Sequence, residues 1–532
     1  MVLHHNSIRD IDRIGYLPDD LLHLILSYAS DDAAEVTRTS VLSRRWRRVW
    51  IHAQKLCFDD RQSRRRLANF GGFVDWAFAQ RGDTDVNEWL RYATQRVVKT
   101  FWLNACDSTP NGAWWSKAKT DHGHLPTVEL PSHRRTASII LNLSSYPFRL
   151  KLPASPAARY EALTYLSLSS AWFGEDEAVA DRRTLTDFIS SCCPRLRKLK
   201  IIDPMRLPRL VLRAEALEEL VIASTRDMQT MDVTAPNLRI FELHYFKGMT
   251  SVTNYWESID LVVRIAAPKL EEIAINNSTL EIEDNLDLRI HGLESVRRLS
   301  NLTLAMHGHY CCNTVYGLWL LNNCPNVEHI DLNLGHRRHE MRATHEFDDL
   351  TDNGAPRLHK ARSMVVRASR LKDQYLVTSV WSLLLMCPGL ISLRIDLEGW
   401  GDRSSRDQDT RKDRNISLEF QEEVKLTSFT GRDGEMDLVS LLFGSSSSIK
   451  SMTISTPEKE ISDTCSESFL LDSDDDYPHY HRLLKIAPLT DHGRWHYKRF
   501  LYTWTRYATE DARATVSRAP DAKAKAEAGD FG

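Results

Sequence analysis

At 532 residues, 42% of them hydrophobic, the chain is long enough for several domains or one extended array and can bury a sizeable core. A formal net charge of -3 argues against a dedicated nucleic-acid binder, which carries a basic excess, so the arginine clusters at 44–48 and 61–66 read as solvated faces. No apolar run reaches the roughly 18 residues of a membrane-spanning helix, and "MVLHHNSIRD" has no apolar signal core, so the sequence predicts an intracellular protein, cytoplasmic or nuclear, with no membrane partner.

In chain order, the first elements read as helices. Pro18 suits a first helical position, where a missing N–H costs nothing. Asp19 and Asp20 follow in the turn where the macrodipole favours anions. Leu21, Leu22, Ile25 and Leu26 then make one broad apolar stripe. Asp31 and Asp32 are candidate caps for a second helix. Leu42, Trp46, Val49 and Trp50 return to helical spacing. A unit this short buries only a small share of its surface. Either the rest of the chain or another protein covers these residues.

The pattern "LPDDLLHLIL", a short acidic spacer and then "TSVLSRRWRRVW" resembles the F-box of plant proteins. One departure is visible, since Tyr28-Ala29 stands where family members often carry Leu-Pro. The resemblance implies a tail at 1–10 and an F-box over 11–55 that docks a Skp-type adaptor and, through it, a cullin. The adaptor contact is then expected at Leu17, Pro18, Leu21, Leu22, Ile25, Leu42, Ser43, Trp46 and Trp50. Some of these must also hold the helices together.

Residues 56–130 read as a linker and an opening repeat. "DVNEWLRYATQRVVKTFWLN" predicts a helix feeding a strand, and "DSTPNGAWWSKAKTDHGH" predicts a loop. Its Trp114-Trp115 pair is either a recognition tip or a packed anchor. Over 131–400 one phrase recurs: "CPRLRKLKI", "APNLRIFEL", "APKLEEIAI", "CPNVEHIDL" and "CPGLISLRI", with proline-free copies such as "YEALTYLSL", "AEALEELVI" and "VRRLSNLTL". Leu196, Leu217 and Leu238 stand 21 residues apart. The last two apolar residues of each copy share one side of a strand, and the first sits at the bend before it. Such a unit must stack on its neighbours to bury its face.

These copies resemble leucine-rich repeats, whose period is roughly 20–29 residues. Helices are expected before several strands, at "TLTDFISSCCP" and "YGLWLLNNCP". The fold class is therefore an α/β repeat: an N-terminal helical F-box followed by an irregular leucine-rich-repeat solenoid that presents a target protein. The chain has nine cysteines, an odd count, and Cys193, Cys324 and Cys387 each directly precede a proline. They read as small buried turn residues of a reduced protein, not as a disulfide framework.

A charged insertion is expected at 401–415. Residues 416–456 read as strand, turn, helix, strand and resemble the FBD-type module of the same plant family, with Phe429, Gly431, Leu438, Leu441, Leu442, Met452 and Ile454 matching its pattern. The remainder, 457–532, is expected to be a largely disordered tail, with an acidic run at 472–476 and an Ala/Lys-rich end. Within it, "GRWHYKRFLYTWTRY" predicts a short helix packed on the array or on a partner, with stacking on single-stranded nucleic acid as the other reading.

Catalytic patterns are missing. His336, His339 and His345 lack the spacing of a zinc helix. Cys192-Cys193 and Cys311-Cys312 are adjacent pairs, not Cys-x-x-Cys ligands. There is no nucleophile elbow and no phosphate-cradling glycine loop. No catalytic residue, metal or cofactor is assigned. The resemblance implies a non-catalytic, substrate-recognition subunit of a Skp–cullin–F-box E3 ubiquitin ligase. The alternatives are a repeat scaffold that sends nothing for degradation, or an F-box receptor gated by a small molecule.

Overall fold

The computed structural model of the chain describes residues 17–29, 33–42, 44–49, 55–59, 100–104, 127–130, 135–143, 149–152, 160–173, 185–225, 228–245, 261–276, 286–305, 312–335, 357–368, 373–397, 418–446, 448–457, 482–483, 493–498 and 501–507. The 401–415 insertion, the 472–476 acidic run, Trp114-Trp115, the His336/His339/His345 group and the Ala/Lys-rich end lie outside the described residues.

The order begins with α1 (Asp19–Ala29), α2 (Ala33–Arg38), a 3-10 helix (Thr39–Val41) and α3 (Trp46–Val49). Strands β1 (Lys55–Asp59), β2 (Thr100–Asn104), β3 (Thr127–Glu129), β4 (Ser138–Asn142), β5 (Arg149–Lys151) and β6 (Tyr165–Ser169) follow. Next come α4 (Leu185–Cys192), β7 (Lys198–Ile202), β8 (Arg209–Arg213), β9 (Glu219–Ala223), β10 (Thr230–Thr234), β11 (Ile240–His244), β12 (Leu261–Ala266), β13 (Glu272–Asn276) and β14 (Leu286–His291). The rest is β15 (Arg298–Ala305), α5 (Cys312–Asn323), β16 (His329–Gly335), β17 (Ser363–Arg367), α6 (Asp373–Met386), β18 (Ser392–Asp396), β19 (Glu423–Thr427), α7 (Asp433–Ser445), β20 (Ser451–Ser455), β21 (Gly493–Lys498) and β22 (Leu501–Arg506). The fold is mixed α/β with mostly parallel strands.

Two compact units divide the chain: Met1–Leu270 with Asp284–Gly292, and Glu271–Glu283 with Leu293–Gly532. In the first, β1, β2, β4, β6, β7, β9 and β11 form one parallel ladder. A second parallel ladder runs β8-β10-β12-β14. In the second unit, β13 and β15 to β20 form a parallel ladder in chain order.

The recurring phrase explains this arrangement. The N–H of Leu196, Leu238, Leu270, Val327 and Leu390 donates to the carbonyl three residues earlier, on Cys193, Ala235, Ala267, Cys324 and Cys387, at 3.1 to 3.4 Å. Proline stands second in each of these turns, where its fixed φ fits. The first turn residue is small because it is buried. Burial pushes the Cys324 and Cys387 thiols up to about 12, so both stay protonated. From Leu196 the apolar set continues to Leu199 and Ile201, all buried, and the same offsets recur at Leu238, Phe241 and Leu243 and at Leu390, Leu393 and Ile395. Each copy therefore ends in a strand with one apolar side.

Helices precede strands where the copies are long, as α4, α5, α6 and α7 do for β7, β16, β18 and β20. The 21-residue copies have no room for a helix. There β8 and β10 take its place, with Leu210, Leu212, Met231 and Val233 buried at the strand period.

At the C-terminal end the structure corrects one reading. "GRWHYKRFLYTWTRY" is not a helix but an antiparallel hairpin, and β22 pairs antiparallel with β20. Within each strand the aromatics fall on alternate residues, Trp495 and Tyr497, then Tyr502 and Trp504, the strand period, and Trp495, Tyr502 and Trp504 are buried. The Phe443 ring of α7 meets Trp504 edge-on at 5.1 Å and Trp495 at 6.0 Å. A Cβ on Gly493 would collide with the Trp504 ring, so only glycine fits there. Within 457–532, Arg482 also docks, donating to the Gly431 carbonyl at 2.6 Å and pairing with Asp433 at 2.6 Å.

Candidate functional site

The first helices carry the most exposed apolar surface among the described residues. α1 begins just after Pro18, whose carbonyl accepts from the N–H groups of Leu21 and Leu22 at 3.1 Å each. Asp19 and Asp20 occupy its first turn. The helix is apolar on two sides. Leu22 and Leu26, one turn apart, are buried, as are Val36, Trp46 and Val49. Leu21, Leu24, Ile25 and Tyr28 follow the i, i+3, i+4, i+7 pattern of a single stripe, and they stand 45%, 49%, 41% and 84% exposed. Val41 and Leu42, at the end of the 3-10 helix, are 83% and 64% exposed.

The nine expected contact residues therefore separate. Leu21, Ile25, Leu42 and Pro18 reach solvent, and Leu17 does so in part. Leu22 and Trp46 lie inside. Ser43 and Trp50 lie outside the described residues. Leu24, Tyr28 and Val41 are exposed as well, and the heptad-like spacing of Leu21, Leu24, Ile25 and Tyr28 is the sequence signal for that side of α1.

Arg45, just before α3, ties the two ends of this region together. Its Nε donates to Asp19 Oδ1 at 2.8 Å, and its Nη2 reaches the same carboxylate at 2.6 Å and the Leu17 carbonyl at 2.5 Å. Thr39 Oγ1 donates to the Val36 carbonyl at 2.6 Å, fastening the 3-10 helix to α2.

A second kind of surface lies on the strand sides away from the apolar core. In the first unit Lys198 pairs with Glu219 at 2.6 Å, and His244 Nε2 meets Glu242 Oε2 at 3.0 Å. The His244 hydrogen bond, with Lys200 nearby, holds the Glu242 carboxyl below the usual carboxylate range. In the second unit Arg367 forks onto Asp331 at 2.6 and 2.8 Å, and Asn333 Nδ2 donates to Asn301 Oδ1 at 2.7 Å. Asn301 sits at a bulge between Leu299 and Leu302 with φ +57°. These side chains place paired charges and amide groups along the strands of each unit.

Among the described residues, no helix is long and apolar enough to cross a membrane. No protein-family model matches the chain. The chain is similar to an F-box/FBD/LRR-repeat protein of Arabidopsis thaliana, 24% identical over 342 residues, which covers 57% of this chain and 68% of the relative. An F-box/LRR-repeat protein of the same plant is 26% identical over 318 residues, covering 55% and 59%. A putative FBD-associated F-box protein, also from Arabidopsis thaliana, is 32% identical over 280 residues, covering 46% and 66%.

Proposed function

Because this chain belongs with the plant F-box proteins that carry leucine-rich repeats and FBD segments, we propose that it is the substrate-recognition subunit of a Skp–cullin–F-box ubiquitin ligase. Residues 11–55 form the F-box, a Skp-type adaptor covers it and links it to a cullin, and the repeats of 131–400 with the FBD-like module of 416–456 hold a target protein. One observation carries the adaptor reading: α1 turns a complete apolar stripe, Leu21, Leu24, Ile25 and Tyr28, to solvent. Scattered exposed apolar residues need no explanation, but a contiguous patch marks an interaction surface. Burying a leucine or isoleucine fully is worth about 1.5–3 kcal/mol, so covering this stripe supplies a substantial part of a stable complex.

The ligase chemistry belongs to the other subunits. This chain contributes proximity: a target lysine held near an activated ubiquitin meets a high effective concentration. The outward side chains of the strands, Glu242 and His244 in one unit and Asp331, Asn333 and Arg367 in the other, are the proposed target-reading groups. The test is reconstitution. The full chain is expected to co-purify with a Skp-type adaptor and a cullin and to promote ubiquitin transfer to a bound protein. A chain that binds neither adaptor nor cullin refutes the proposal; one that binds both but transfers nothing supports a non-degradative scaffold.

A further inference from the structure

Resting on the adaptor reading, we propose that Arg45 is the positioning residue that sets α1 against the Val41-Leu42 turn for docking. The apolar surface comes in two pieces, the α1 stripe and the pair at the end of the 3-10 helix. Arg45 lies three residues after Leu42, and its guanidinium grips the backbone of Leu17 and the carboxylate of Asp19, on either side of Pro18. One rigid fork thus fixes where α1 begins relative to the chain that carries Leu42. Both members of the ion pair are substantially exposed, so the pair adds little to folding stability. The fold of this region rests instead on Leu22, Leu26, Val36, Trp46 and Val49. What the fork supplies is preorganisation: a partner that meets both pieces already aligned does not pay to order them. Lysine offers a single charged point and no fork, so it keeps part of the contact and loses the geometry.

The experiment measures the affinity of the full-length chain for a purified Skp-type adaptor, with the melting temperature of each free variant. Arg45→Ala is expected to weaken binding about tenfold, the scale of one charge-assisted hydrogen bond, while melting like the wild type. Arg45→Lys should fall between the two. Asp19→Asn, which spares the Leu17 contact, should weaken binding less than Arg45→Ala. Unchanged affinity in Arg45→Ala overturns the inference, and so does a loss of affinity that tracks a drop in melting temperature. A wild-type chain that does not bind the adaptor overturns the docking reading, and this inference with it.

Discussion

Leu21 and Leu22 are neighbours on α1, yet Leu21 stands half out in solvent while Leu22 is wholly buried. Aspartate therefore means different things at the two sites. Leu22→Asp places a carboxylate in an apolar core at a cost of several kcal/mol. It should unfold α1 to α3, and adaptor binding should disappear together with helical protection. Leu21→Asp should leave the helices intact. Hydrogen exchange across 19–49 separates the cases, and native protection in Leu22→Asp would show that α1 is turned the other way.

Leu243 ends the apolar set of β11 and is fully buried. Leu243→Ala removes atoms from a stacked core, where such changes cost about 2–5 kcal/mol. Because repeats stabilise their neighbours, the loss should lower the melting temperature of the first unit as a whole. Wild-type thermal stability in this variant would mean that β11 is misplaced.

The hairpin β21–β22 makes part of the 457–532 segment structural. Trp504→Ala removes a buried ring that packs on Phe443, and large aromatic truncations cost about 3–5 kcal/mol. The variant should expose α7 and β20 to rapid exchange while α1 to α3 keep their protection. If a chain truncated after 456 exchanges in α7 at the wild-type rate, the hairpin carries no stability.

Glu435 gives the second unit a pH dependence. Its buried carboxylate accepts from the N–H groups of Thr430, Gly431 and Arg432 at 2.8, 2.7 and 3.2 Å. Burial nevertheless raises its carboxyl above the ordinary value, outweighing the lowering effect of those bonds. The folded state thus keeps a proton that the unfolded chain has already lost. The resulting stability is complete below the ordinary carboxylate value and is lost as pH rises through the folded value. Glu435→Gln has no proton to release, so the slope of stability against pH in this window should flatten. An identical slope in the variant would remove Glu435 as the cause.

Much of the repeat architecture is legible in the sequence, because one spacing of apolar residues fixes a turn, a strand and a buried side at once. Two copies show the limit. At Leu358, Ala361, Met364 and Val366 an alanine replaces the turn leucine. At Leu418, Gln421, Val424 and Leu426 a buried glutamine does, with no hydrogen-bond partner for its side-chain amide among the described residues. Pattern matching on leucine passes over both, although the stacking neighbours tolerate them. The second ladder is harder to read because β8 and β10 are only five residues each, and the arginines at both ends of β8, Arg209 and Arg213, hide the alternation of Leu210 and Leu212. On α1, apolar residues on both sides blur into one broad stripe. Only burial shows which side faces inward.

The most direct test of the account is the affinity of a purified Skp-type adaptor for the full chain carrying Ile25→Asp. Ile25 lies in the middle of the exposed stripe, so the free chain should keep its helices and melting temperature. In the complex the new carboxylate would be buried without a partner, and binding should weaken about 100-fold or more. Wild-type affinity in a folded Ile25→Asp chain would contradict the assignment of this stripe to the adaptor.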